Sequence, residues 1–319
     1  MQSLILKALL PWFILGPVLA QSAGTEESLV LEQAPEVLRP YVLRKGSGQA
    51  VSVGQQVYRL SVTGNSSAGA FSLLQTNAPD SKHLGVLPHV HKLHFENFYC
   101  TKGRFQVWTK TNDTEQARIL YQGDYAAVPQ NTIHTFQILD PDSQGTGVIY
   151  PGGFERLFLS VSEQPYLSSA GSPYTPATAE NSAGEQLNPD AIATWATYDV
   201  HAHLEFTPRR DLVNGSAGGS GYWHDGPNFL GPDSKTPNFI AKGYGPKYLN
   251  TDGGVYRIIT PFATKNQTDG KFSQGTVTMS PKLSNQTAIH ANLKQHVAFQ
   301  LEEGSLVVNV TGYETSTLI

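Results

Sequence analysis

His89, His91, Glu96 and His134 are the side chains whose types and spacing point most directly to chemistry. Three imidazoles with one carboxylate suit copper, iron, manganese, nickel or zinc and leave a position open for a substrate. In a strand, residues two apart face the same way, so His89 and His91 project into one interior. His134 belongs to a later strand that can pair back against them. An HxH pair alone is common and silent on exposed strands. The full run Gly85-x3-His89-x-His91-x4-Glu96-x6-Gly103, followed by Gly123-x5-Pro129-x4-His134, is far harder to obtain by chance. It predicts a metal site, provided that β-barrel walls surround it.

The elements that must position these residues are read as strands. Only 15% of the 319 residues are charged, below the roughly 25% of an average globular protein. Gly, Pro, Ser and Thr are abundant and long amphipathic helical stretches are missing, which predicts an all-β chain rich in turns. Strands are expected over Gln56–Thr63, Gly69–Thr76, Arg104–Thr111, Asp124–Val128 and Ile133–Leu139. Within Arg104–Thr111, Phe105, Val107 and Thr109 alternate with Gln106, Trp108 and Lys110. Together they predict a small antiparallel barrel with a ligand-sized interior.

An internal repeat sets the larger plan. Val57-Tyr58-Arg59-Leu60 recurs as Val255-Tyr256-Arg257-Ile258, and Phe98–Val107 resembles Phe299–Val308, at offsets of 198 and 201. Two tandem small barrels are expected, over residues 30–162 and 206–319, joined by a linker over 163–205. At the 201 offset His89 maps to His290, but His91 maps to Asn292 and Glu96 to Val297, so the second copy is expected to hold no metal. Judged by the repeat length it is also expected to be incomplete at its C-terminal end. His201-Ala202-His203 with Glu205 imitates the main motif, but the carboxylate is too close and no glycine turn follows at the right distance. It is read as a solvated strand or linker.

Other features bound the context. Residues 1–20 read as a secretory signal peptide: Lys7, an apolar run from Ala8 to Leu19, then Val18-Leu19-Ala20, with the mature chain beginning near Gln21. The apolar run is too short for a good membrane span. In a secreted chain the sequons at Asn65, Asn112, Asn214, Asn266 and Asn285 become glycosylation candidates, with Asn309 the weakest. A net charge of −4 offers no basic face for nucleic acid. Cys100, the sole cysteine, permits no internal disulfide and reads as a small buried apolar side chain.

At this point the motifs resemble a known family. The two metal motifs look like the paired signature of the cupins, and the doubled barrel resembles the bicupins. The run Gly85-Val86-Leu87-Pro88-His89-Val90-His91 with Glu96-Asn97-Phe98-Tyr99-Cys100 is similar to the fungal quercetin 2,3-dioxygenases. Thr76-Asn77-Ala78-Pro79, residues 131–137, Pro151-Gly152-Gly153-Phe154-Glu155 and residues 245–250 strengthen the match. The resemblance implies a copper centre on His89, His91 and His134, with Glu96 as fourth ligand and catalytic base. It implies a substrate pocket near Tyr58, Thr76, Phe98 and Phe136, a flavonol and dioxygen as substrates, and a homodimer. Two departures stand out: Leu74 and Gly145 replace methionines common in the family, and Asn131 replaces the second motif's usual glycine. A germin-like metal-dependent oxidase and a non-catalytic bicupin are the rival readings.

Overall fold

The structure is a computed structural model and describes residues 27–162, 164–166, 189–219, 221–284 and 293–319. The signal segment, Asn285, His290 and Asn292 lie outside the described residues, as does most of the expected linker.

Ten strands build the barrel: β1 (Gln49–Val53), β2 (Gln56–Val62), β3 (Ser72–Ala78), β4 (His89–Val90), β5 (Phe95–Lys102), β6 (Phe105–Thr111), β7 (Thr114–Leu120), β8 (Tyr125–Val128), β9 (Ile133–Ile138) and β10 (Ser143–Tyr150). Two short helices follow, α1 (Glu155–Val161) and α2 (Pro189–Thr197). Beyond them lie β11 (His201–Ala202), β12 (Ser216–Ala217) and β13 (Asn238–Ile240). One sheet runs β1-β2-β3-β10-β5-β8-β13, with residues 164–165 paired outside β1, and the other β11-β4-β9-β6-β7-β12, with antiparallel neighbours throughout. This two-sheet, non-sequential strand order is that of a jelly-roll barrel. Four of the five expected strands fall within a residue or two of the expectation, while the second is displaced to Ser72–Ala78. No strand was expected over β1, β5, β7 or β10; the last carries Gly145 and Gly147, which dilute its apolar alternation.

Inward-facing Phe105, Val107, Leu120, Phe136 and Ile138 form one cluster inside the barrel. Trp108 points the other way yet is fully buried, because the stretch containing Phe206 and Ala217 packs over that outer face. Its indole N–H donates to the Arg209 carbonyl at 2.8 Å. Both faces of β6 are thus buried over Phe105–Thr109.

The region expected as linker and second copy is thus partly built into the first barrel. Residues 201–202 pair with β4, residues 216–217 with β7, and residues 238–240 with β8. Farther on, β14 (Tyr248–Asn250), β15 (Arg257–Ala263) and β16 (Gln274–Met279) form their own three-stranded sheet. Residues 27–29 and 301–319 belong to a separate small unit containing the hairpin β17 (Leu306–Val308) and β18 (Ser316–Leu318). Gly103 and Gly304, which answer each other in the repeat, both have positive φ, 68° and 86°.

Candidate metal centre

Register brings the ligand set together. His134 on β9 lies directly opposite His89 on β4 and opposite Thr109 on β6. Glu96 enters from the other sheet, on β5 opposite Val128. His91 follows β4 immediately. The four side chains offer ligand atoms that all lie within 4.8 Å of one another. The three histidines are almost fully buried, whereas the Glu96 side chain keeps 16% exposure.

The histidines are oriented from behind. Each Nδ1 meets a backbone carbonyl: Leu87 for His89 at 2.8 Å, Asp199 for His91 at 2.7 Å, and Thr132 for His134 at 3.0 Å. A carbonyl only accepts, so each Nδ1 carries a proton and Nε2 is the ring atom directed to the centre. This is the arrangement a metal-binding imidazole needs. Glu96 Oε2 sits 2.8 Å from His134 Nε2 and 3.1 Å from His91 Nε2. Buried donors of this kind and number fit a divalent cation.

Electrostatics follow from the same packing. Burial pushes the His89 imidazole well below its ordinary range, helped by its two imidazole neighbours. Burial would lower His91 also, but the Glu96 hydrogen bond and charge outweigh it and raise its proton affinity. Burial would raise the Glu96 carboxyl, yet its bonds to His134 and His91 hold it well below the usual carboxylate range. Glu96 is therefore ionised at neutral pH.

The turn at Asn131 completes the support. Asn131 has φ 61°, a left-handed conformation that glycine and asparagine adopt most readily, and its N–H donates to the His91 carbonyl at 2.7 Å. That tolerance lets Asn131 occupy the turn.

A cavity of about 480 Å³ opens on the centre, of a size that holds a small organic ligand. His89 and Glu96 are the ligand-set members that line it. Tyr58, Thr76, Phe98 and Phe136 all line it too, as do Leu74 and Gly145. Phe98 and Phe136 sit 5.8 Å apart, centroid to centroid, and Phe98 lies 6.4 Å from the His134 ring. Tyr58 stacks on Phe158 at 4.0 Å, and its hydroxyl donates to Gln56 Oε1. Gly85 packs flat on Phe136: a Cβ there would lie 2.3 Å from the ring.

Cys100 lines the cavity but is no ligand. Its Sγ is turned to the Gly103 carbonyl at 3.2 Å, and burial pushes the thiol up to about 12. The imitation motif also stays apart: His203 pairs with exposed Glu205, and His201 lies on the β11 edge strand. Of the second copy's positions, Val297 is exposed, while 290 and 292 lie outside the described residues. Asn65, Asn112, Asn214 and Asn266 are exposed and all lie in turns.

Sequence reasoning missed Asp199, a buried residue in the expected linker. No spacing signal marks it, since its role arises only when residues 201–202 pair with β4.

Comparison with known proteins decides the family. The chain is 46% identical over 294 residues to the quercetin 2,3-dioxygenase of Aspergillus japonicus, covering 91% of this chain and 83% of that protein. The chain belongs to the quercetin 2,3-dioxygenase family. The Bacillus subtilis quercetin 2,3-dioxygenase is 29% identical over 147 residues, 46% of this chain and 42% of the relative. No family model matches. Among solved structures, KdgF from Halomonas sp. aligns with TM-score 0.26 and 22% identity over 30% of this chain and 81% of its own. Vicilin from Corylus avellana aligns with TM-score 0.28 and 14% identity over 32% and 31%. Those two likenesses are too slight to bear on the chemistry. Gly145 lines the cavity wall, where an added Cβ would lie 3.1 Å from the Phe105 ring.

Proposed function

We propose that this protein cleaves the heterocyclic ring of a flavonol such as quercetin with dioxygen, releasing carbon monoxide and a depside ester. The supporting observation is Glu96, an ionised carboxylate set among three buried imidazoles that opens into an aromatic-walled cavity. His89, His91, Glu96 and His134 would hold the metal, for which copper is our assignment. When bound, the metal supplies positive charge to stabilise a deprotonated flavonol and a path for its electron density toward dioxygen.

The remaining work falls to the chain itself. Glu96 Oε accepts the proton of the acidic 3-hydroxyl. Phe98 and Phe136 grip the flat ring system by its faces and edges. The apolar walls keep water from the reacting ring, which favours oxygenolysis over hydrolysis. The two atoms of dioxygen enter the ester and its new carboxyl group as carbon monoxide leaves, which balances the reaction without another co-reactant.

The test is carbon monoxide release from quercetin in air by copper-loaded protein, beside Glu96→Gln. Gas from the wild type and its loss in the variant support the reading. A folded, metal-bound wild type that releases none refutes it. We also place the protein outside the cell, with glycans on the exposed sequons, on the strength of its leader sequence; endoglycosidase treatment of secreted protein should lower its mass.

A further inference from the structure

We propose that Asp199 is a positioning residue for the metal centre, clamping the turn between His91 and Glu96 and setting the orientation of the His91 ring. The claim rests on the reading of His89, His91, Glu96 and His134 as a metal site. Its test is independent of flavonol turnover.

Asp199 is 6% exposed and takes φ 68°, a conformation costly for most side chains and tolerated by Asp and Asn. Its Oδ1 accepts the Lys92 N–H at 2.9 Å. Its Oδ2 accepts the N–H groups of Leu93 at 2.8 Å and His94 at 3.0 Å, and meets His94 Nδ1 at 2.8 Å. His201 Nε2 stands 3.3 Å from Oδ1. Three successive backbone donors, the whole turn between two metal ligands, thus converge on one carboxylate more than 100 positions away in sequence. Charge-assisted bonds of this type are short and strong.

The same residue acts a second time through its main chain. The Asp199 carbonyl receives the His91 Nδ1 proton at 2.7 Å, which directs His91 Nε2 to the centre. Leu87 and Thr132, which do this for His89 and His134, each lie only two residues from their histidine. His91 alone is oriented from a distant segment. The carboxylate holds that segment at the angle the carbonyl needs, so side chain and main chain of Asp199 form one device.

Asp199→Asn keeps a residue suited to positive φ but replaces one acceptor oxygen with a donor facing other donors. Asp199→Ala removes the clamp altogether. Titration of the metal-free protein with Cu(II), read by affinity and by the electron paramagnetic resonance spectrum, separates the roles. The expected result is Cu(II) affinity weakened about 10- to 100-fold, the range for loss of an outer partner of a metal ligand. The spectrum should change as well, with Asp199→Asn intermediate and His203→Ala, in the same segment, like the wild type. Wild-type affinity and spectrum in Asp199→Asn overturn the proposal, even if its melting temperature falls. Should Asp199→Ala not fold, Asp199→Asn decides alone. Wild-type protein that binds Cu(II) but leaves quercetin intact would sink the proposed reaction and not this inference.

Discussion

At the scale of single residues, Glu96 lines the cavity beside His89 and is the one carboxylate of the set, within hydrogen-bond distance of two imidazoles. Glu96→Gln keeps the shape and removes the proton acceptor. It should lower kcat on quercetin by about 10²- to 10⁴-fold, the usual contribution of a general base, with the flavonol still bound. Steady-state kinetics beside a binding titration will show whether turnover alone is lost. Metal binding should also depend on pH with a fixed sign. His91 holds its proton more tightly than an ordinary histidine, because Glu96 outweighs the effect of burial. Protons therefore compete with metal at His91 as the pH drops, and Cu(II) affinity should fall from neutral toward acidic pH. A competition titration at several pH values checks this; affinity that is flat or rises on acidification would contradict it. These four residues were legible in sequence through the spaced run from Gly85 to Gly103 and from Gly123 to His134, although the strand itself ends at Val90. Asp199 was not, since a carboxylate that binds a distant turn leaves no periodic trace.

At the scale of elements, the cavity wall depends on close approach between the segment before β4 and the ring on β9. Gly85 donates its N–H to the Phe136 carbonyl at 2.7 Å, and its own carbonyl accepts from Gln56 Nε2. A methyl at Gly85 would overlap the Phe136 ring, so Gly85→Ala must push that ring into the cavity or displace the segment. Overpacking of this kind costs about 1–3 kcal/mol. We expect a raised KM for quercetin and a lower melting temperature, measured by kinetics and calorimetry; unchanged values for both would show that the wall yields freely. Strands β2, β6, β8 and β9 were legible through alternation or apolar runs bounded by turns. Strand β10 was obscured by Gly145 and Gly147, which sit where the wall must stay thin. Strand β4 is two residues long and becomes a strand only through β9 and β11 on either side.

At the scale of the molecule, the repeat in the sequence suggested two barrels in series. In the structure, residues 201–202, 216–217 and 238–240 widen both sheets of the first. The physical reason is edge protection: without β11, β12 and β13, the open edges of β4, β7 and β8 would expose unpaired backbone groups. Trp108 makes the dependence measurable. Trp108→Ala removes a fully buried indole and its bond to the Arg209 carbonyl, and should destabilise by about 3–5 kcal/mol. Chemical denaturation gives the value; a change below about 1 kcal/mol would mean that residues 206–217 contribute little to the barrel.

Whether this cavity carries out a dioxygenation is read from isotope labelling. Copper-loaded protein should be given quercetin under ¹⁸O₂, and the products weighed by mass spectrometry. A dioxygenase will yield a depside carrying both labelled atoms with unlabelled carbon monoxide. Hydrogen peroxide with an unlabelled organic product would contradict it and make the centre an oxidase.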